Sequence, residues 1–441
     1  MPPKIPHEEA EPRPDDLPRP KPGAVRWHPV GALLRLRALE ALGYREFRLL
    51  WYGQVFTSMA TWMDSIARGW LIYELTNSSF QLGLVRGVQA IPTLLLSPIA
   101  GSAADLYSRK TQILIAQVVD GLLYAWVAVM IISGDIQPWH VYVTSLGLAT
   151  VQAFQLPSRT SMVADTVPPG ALTNAMGLNA VVFNSARSAG PALAGVLIAT
   201  YGTAGSYSIQ AFFYLLATIW TIMLRRAPPP SGAAKSHSRH HESFGRTIME
   251  GWKFSWRNFE VRLSLIVVSF AMFLLIPFTT LLPVFARDIL HVGAHGQGIL
   301  LTCMGVGALF SSVWVAFLGD RMPRGLFMIG GVALYGILLA IFSASSSFAL
   351  SMVLMFMIGL CHVTSHALIQ IIIQSYSPAE FRGRTMAIFH MTQVILVVGA
   401  MSIGSLAALT GARAATASMS LLGTAAMVAI YLLVPRARRI K

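Results

Sequence analysis

Long apolar runs separated by short charged turns set the pattern of this chain. From Gly87 to Ala104 no residue is charged, and from Thr111 to Ser133 only Asp120 interrupts the run. A membrane-spanning helix needs about 20 mostly apolar residues. Twelve runs of that kind follow one another, near 47–74, 81–104, 110–133, 139–163, 172–200, 206–225, 260–288, 297–319, 325–344, 348–376, 383–408 and 413–434. The pattern predicts an all-α polytopic membrane protein with twelve transmembrane helices.

The ends and the middle read differently. Residues 1–46 form a tail. To about residue 29 it is rich in proline and mixed charge and is expected to stay disordered. From Val30 to Arg48, leucines alternate with Arg35, Arg37, Arg45 and Arg48, the pattern of a basic helix lying on a membrane surface. Residues 47–225 make a first six-helix half and 260–435 a second, and 436–441 are a basic tail. Residues 226–259 between the halves are a polar linker with Pro228-Pro229-Pro230 and an amphipathic piece near Phe244–Trp256. Lysines and arginines crowd the tails, the linker and the 2–3, 8–9 and 10–11 turns. That bias places both termini and the linker in the cytoplasm.

Composition narrows the class further. The chain is 54% hydrophobic and 12% charged, with mean hydropathy +0.59, against about 25% charged in a soluble domain. The net charge of +14 would suit nucleic acid, but the bases sit between apolar spans, so no nucleic-acid partner is expected. Cys303 and Cys361 both lie in apolar runs and imply neither a disulfide framework nor a metal site. No removable signal peptide is read at the N-terminus. A Gly-x-x-x-x-Gly-Lys-Ser/Thr phosphate loop is missing, which argues against an ATP-driven pump. Neither an enzyme nor a cofactor is expected.

The turn between helices 2 and 3 carries Gly101, Asp105, Arg109 and Lys110. The spacing Gly-x-x-x-Asp-x-x-x-Arg-Lys resembles the signature loop of major facilitator superfamily transporters. The two halves also repeat. Asp320 and Arg324 echo Asp105 and Arg109, and Pro168–Met176 aligns with Pro378–Met386 at one offset. Two six-helix halves joined by a cytoplasmic linker is the organisation that the resemblance implies. Thr61-Trp62-Met63, Tyr73-Glu74-Leu75-Thr76 and Arg382-Gly383-Arg384 look like the bacterial branch that includes the enterobactin exporter.

Ionisable groups inside a membrane segment usually face a partner or a water-filled cavity. Asp64 and Arg68 stand one turn apart in helix 1, and Arg86 enters helix 2 to a similar depth. They read either as a proton-coupling cluster with Asp64 as its carboxylate or as a fixed ion pair. Asp120 is the other deeply placed acid. Gly190, Pro191 and Gly195 in helix 5 resemble a motif of proton-coupled exporters, with Ala194 where glycine is common, and a packing role stays open. Arg187 beside it is positioned to meet an anionic substrate or to pair with Asp64 or Asp120. His362, His366 and Gln370 share one face of helix 10, and Gln152 in helix 4 matches His362 at the repeat offset. In the resembled fold helices 1, 4, 7 and 10 line the central cavity, so these four are candidate substrate contacts, with packed histidines as the alternative. Trp51, Trp62, Trp70 and Trp139 read as interface anchors. In the hinge, Asp105 is expected near the start of helix 11 and Arg109 on Asp165, both closing the cytoplasmic side.

The expectation is a monomeric secondary transporter in a bacterial inner membrane. It would export a small amphipathic or anionic compound, drug-like or a siderophore, by proton antiport. Proton-coupled nutrient uptake, and a non-transporting receptor or assembly factor on the same fold, stand as alternatives.

Overall fold

The computed structural model describes residues 37–225, 244–318 and 323–440. Helix ends follow from local chemistry. The first helix, α1 (Arg45–Thr76), stops where Asn77 adopts a left-handed conformation and returns its N–H to the Tyr73 carbonyl. Then come α2 (Ser79–Leu106), α3 (Arg109–Ser133) and α4 (Pro138–Thr166). Pro138 opens α4 at a position where its missing N–H costs nothing. The stretch Leu172–Ile222 is two helices, α5 over 172–201 and α6 over 203–222, parted at Gly202 with φ 69°. Only glycine holds that backbone without strain.

An amphipathic linker helix, Phe244–Arg257, leads into α7, Phe259–Ile289. There follow α8 (Gly293–Leu318), α9 (Arg324–Ala344) and α10 (Phe348–Ser375). Next is α11, whose parts Ala379–Met391 and Gln393–Thr410 meet at Thr392, and last α12 (Ala412–Leu433). These twelve helices agree with the twelve apolar runs to within a few residues at most ends. The proposed surface helix over Val30–Arg48 is corrected. Its described part is a short 3-10 segment, Arg37–Gly43, and Arg45 and Arg48 belong to α1.

Twelve crossings return residue 433 to the side on which residue 45 began, here termed the termini side. Among the described residues, α1, α2 and α4 are not among the helices apolar enough by composition alone to cross a membrane, whereas the other nine lie in segments that are. Two of them, α1 and α4, carry most of the polar groups that line the two larger cavities described below. The outer surface is apolar, with Leu95, Leu122, Ile132, Phe317, Leu409 and Leu433 all exposed. In water such a surface would aggregate; in lipid it is solvated.

The first six helices meet the last six through small residues. Gly195 of α5 lies against the backbone of Ala294 and Gly298 in α8, and the Thr302 hydroxyl donates to the Ser188 carbonyl at 3.1 Å. Gly83 of α2 lies against Ala400, and Gly404 of α11 lies against Ser79 and Gly83. At the end of α1, the Tyr73 hydroxyl donates to Asp288, and Arg287 donates to the Asn77 side chain at 2.9 Å. All of these contacts sit midway through the bundle or on the side away from the termini. The α7 helix is irregular here. It passes through a π turn at Ala271–Leu275, a 3-10 turn at Ile276–Leu281 and a second π turn at Phe285–Ile289. Such irregular turns are common where a helix lines a functional cavity.

A Cβ at position 195 would meet the Ala294 carbonyl at 2.8 Å and the Gly298 Cα at 3.1 Å, both backbone. Gly195→Val is therefore expected to cost about 1–3 kcal/mol and to part α5 from α8. A lower thermal midpoint, together with faster thiol labelling of a Gln297→Cys reporter, is the expected result. Unchanged labelling would refute it.

Candidate functional site

The interior is organised by what each buried guanidinium touches. Arg68 holds Asp64 in a two-pronged pair, Nε to Oδ2 and Nη2 to Oδ1, each 2.9 Å. Its remaining Nη1 donates to the Ser145 hydroxyl of α4 at 2.6 Å. Helical spacing of four residues makes the pair possible, and a small hydroxyl on the facing helix fixes it. Arg159 of α4 donates to Gln54 and, at 2.7 Å, to the Thr57 hydroxyl, both on α1. Asp120 of α3 is fully buried beside Tyr214 of α6, within electrostatic reach of Arg159.

Around these groups lie connected cavities. One, about 620 Å³, is lined by Gln54, Thr57, Trp62, Gln152, Arg159 and Phe183. These positions belong to the termini-side half of α1 and α4 and the middle of α5. A cavity of about 300 Å³ continues past Trp62 to Asp64, Arg86 and Gln89. A third, about 210 Å³, lies between the halves, lined by Arg86, Arg187, Pro191, Thr279, Met304 and His362. A narrow cleft beyond it is bounded by Asp64, Arg68, Arg86, Pro283 and Gln297.

Asp64, Arg68 and Arg86 are thus brought together at one cleft, but Arg86 is not bonded to Asp64, whose two oxygens both go to Arg68. Arg187 pairs with neither Asp64 nor Asp120, and it faces the cavity between the halves beside His362. Gln152 lines the two larger cavities. His366 stacks between His362, at 6.0 Å between ring centres, and Phe389, at 5.3 Å. Neither His366 nor Gln370 is among the residues lining these cavities. Gly190 and Gly195 have separate duties. A Cβ on Gly190 would strike Trp62 at 2.7 Å, so it packs α5 on α1, while Gly195 packs α5 on α8. The carbonyl of Pro191 stands 2.8 Å from where a Cβ on Gly298 would be.

The hinge differs from expectation in one respect. Arg109 does pair with Asp165, but the pair joins α3 to α4 within the first six helices. It exists while the cavity is on that side, so it does not by itself close that side. Lys110 ties the start of α3 to the end of α6 by donating to the Ile222 carbonyl at 2.8 Å and to that of Leu224. Gly101 lies in α2, Asp105's side chain and Asp320 lie outside the described residues, and Arg324 opens α9.

Trp62 is a correction. It is no interface anchor, because it lines all three main cavities and meets Phe183 edge-on at 5.5 Å. Sequence reasoning also passed over Gln54, Thr57 and Arg159. The signal was available: Gln54, Thr57, Ser58, Thr61, Asp64 and Arg68 recur every three or four residues, a polar stripe along an otherwise apolar helix. Arg159 was a lone base inside a predicted span.

A family model described as transmembrane secretion effector matches residues 37–441. The chain belongs to this family. It is a major facilitator transporter, not an enzyme. It is similar to the staphyloferrin A transporter of Staphylococcus aureus, 23% identical over 63% of this chain and 66% of that one. It is also similar to the multidrug efflux pump Tap of Mycolicibacterium fortuitum, 24% identical over 85% and 92%. In fold it resembles a mutant of the nucleoside transporter NupG, with TM-score 0.70, 13% identity, and 87% of this chain covering 100% of that one. A bacterial homologue of the human lysosomal transporter Spinster, crystallised inward-facing and unoccupied, gives 0.68 at 12% identity, covering 92% and 97%.

Removing one member of a buried ion pair strands the other in a low-dielectric interior, at about 3–5 kcal/mol. Asp64→Asn and Arg68→Gln are each expected to destabilise the transporter, and the double variant by less than the sum. A thermal-unfolding double-mutant cycle that returns strict additivity would mean that the pair contributes nothing.

Proposed function

We propose that this transporter exports a small amphipathic or anionic compound from the cytoplasm, driven by proton antiport. One observation carries the reading: the cavity of about 620 Å³ lies on the termini side, while small-residue contacts close the opposite side. The bias of lysine and arginine supports cytoplasmic termini, and in that orientation the cavity would load from inside. Two bacterial relatives, named a staphyloferrin A transporter and a multidrug efflux pump, support a small-molecule cargo and a cell-membrane location.

In this reading residues 47–225 and 260–435 rock as two units about the 226–259 linker. Gly101, Asp105, Arg109 and Lys110, with Asp320 and Arg324 in the second half, seal the cytoplasmic side in the opposite state. Asp64 is the proton-coupling carboxylate, flanked by Arg68 and Arg86. The groups around it are Asp120 and Tyr124 on α3, Ser145 on α4 and Tyr207 on α6. Thr279 and Gln297 face the same cleft from α7 and α8. Gln152, His362, His366 and Gln370 contact the cargo or hold those that do.

One observation favours proton-coupled uptake as a second reading. Asp64 and Arg86 border the same cleft. A proton on Asp64 removes a negative charge near Arg86, so an anion there and a proton on Asp64 favour each other, which is the coupling of a symporter.

Proteoliposomes separate the two. Under a gradient imposed acid on the face opposite the termini, export predicts cargo moving toward the acid side, and uptake predicts the reverse. Asp64→Asn is expected to abolish uphill movement while leaving downhill exchange partly intact. Uphill transport at the wild-type rate in that variant would remove Asp64 from the role and leave Asp120 as the acid to test.

A further inference from the structure

We infer that Arg86 and Arg187 form a clamp for one oxyanion of the cargo, a carboxylate or sulfonate carried on an apolar body. The inference deepens the transport reading and rests on it, but it does not depend on direction. Four arginines face the interior of the first six helices. Arg68 is satisfied by Asp64 and Ser145, and Arg159 donates to Gln54 and Thr57 although its buried Nε has no partner among the described residues. Arg86 and Arg187 are half-buried and make no hydrogen bond or ion pair among the described residues. A guanidinium cannot shed its charge, and inside a membrane it is costly unless partnered or wet. Both face the one cavity of about 210 Å³ between the halves.

No carboxylate lines that cavity. The nearest candidate, Asp64, has both oxygens taken by Arg68. Asp64 attracts Arg86 across the narrow cleft without bonding it, and the hydrogen-bond acceptor that both guanidiniums lack would come from the cargo. Two planar donors suit an oxyanion better than a halide, because each can present two parallel N–H groups. His362 offers a ring nitrogen from α10 toward the same space. Most of the remaining wall is apolar, with Trp62, Pro191, Leu301 and Met304 beside the hydroxyls of Ser65 and Thr279, which fits an aromatic or branched body and not a fully hydrated ion.

The location explains what an anion would do. Arg86 and Arg187 belong to α2 and α5 of the first six helices, while Thr279, Met304 and His362 come from α7, α8 and α10 of the last six. A bound oxyanion neutralises one half's exposed charge at the surface where the other half must close. Without it, closing the cavity would bury Arg187 with no anion beside it and Arg86 with only the already paired Asp64 nearby.

Equilibrium binding to the purified full chain in nanodiscs, with no gradient, tests this with 2-naphthoate and its neutral isostere 2-naphthamide. The wild type is expected to prefer naphthoate by at least about tenfold. Arg86→Gln and Arg187→Gln are each expected to reduce the preference to less than about threefold. The ratio of two affinities is read in each variant, so loss of overall packing is not mistaken for loss of the clamp. Arg86→Lys and Arg187→Lys keep the charge but lose the fork, and an intermediate preference is expected. Equal affinity in the wild type, no saturable naphthoate binding at millimolar concentration, or a preference that survives in the Gln variants would each overturn the clamp. Failure of uphill export would leave this result standing, and failure here would leave export standing.

Discussion

A guanidinium inside a membrane must be matched, and this interior is arranged around four of them. Arg68 is matched by a carboxylate one turn away and a serine on the next helix. Arg159 is matched by an amide and a hydroxyl. The other two open onto a cavity. The first pair ties α1 to α4, and the second pair keeps space available between the halves. Desolvation sets the sign in both cases: a satisfied charge acts as a fastener, whereas an unsatisfied one keeps water or cargo beside it.

The same accounting explains the helix composition. Helices α1 and α4 contain most of the groups that line the two larger cavities. Polar side chains there are tolerated because they face one another and the cavity while Leu95 and its like face lipid. The irregular course of α7 serves the same end. Its π and 3-10 turns place Thr279 and Pro283 at the cleft that Asp64 and Arg86 border.

Much of the fold was legible in the sequence, because a spanning helix is defined by length and apolarity, both of which are local. The site was legible in part. Asp64 with Arg68 needed only the four-residue period. Arg187 stood out as a charge within a span. Trp62 was misread because aromatic side chains mark both membrane interfaces and cavity walls, and only the neighbouring Phe183 and Gly190 settle which. Arg159 was missed because its partners, Gln54 and Thr57, lie more than a hundred residues earlier. The Arg109–Asp165 contact could be anticipated from charge and position, since both residues fall in the first half.

Part of the seam between the halves is built from backbone. Where Gly195 meets Gly298, and Gly83 meets Gly404, no side chain of one helix is lodged in a socket of the other. Interlocked side chains resist rotation because each must climb out of its neighbour's groove. Bare helical surfaces resist far less, so they can roll across each other through a continuum of angles at nearly constant area.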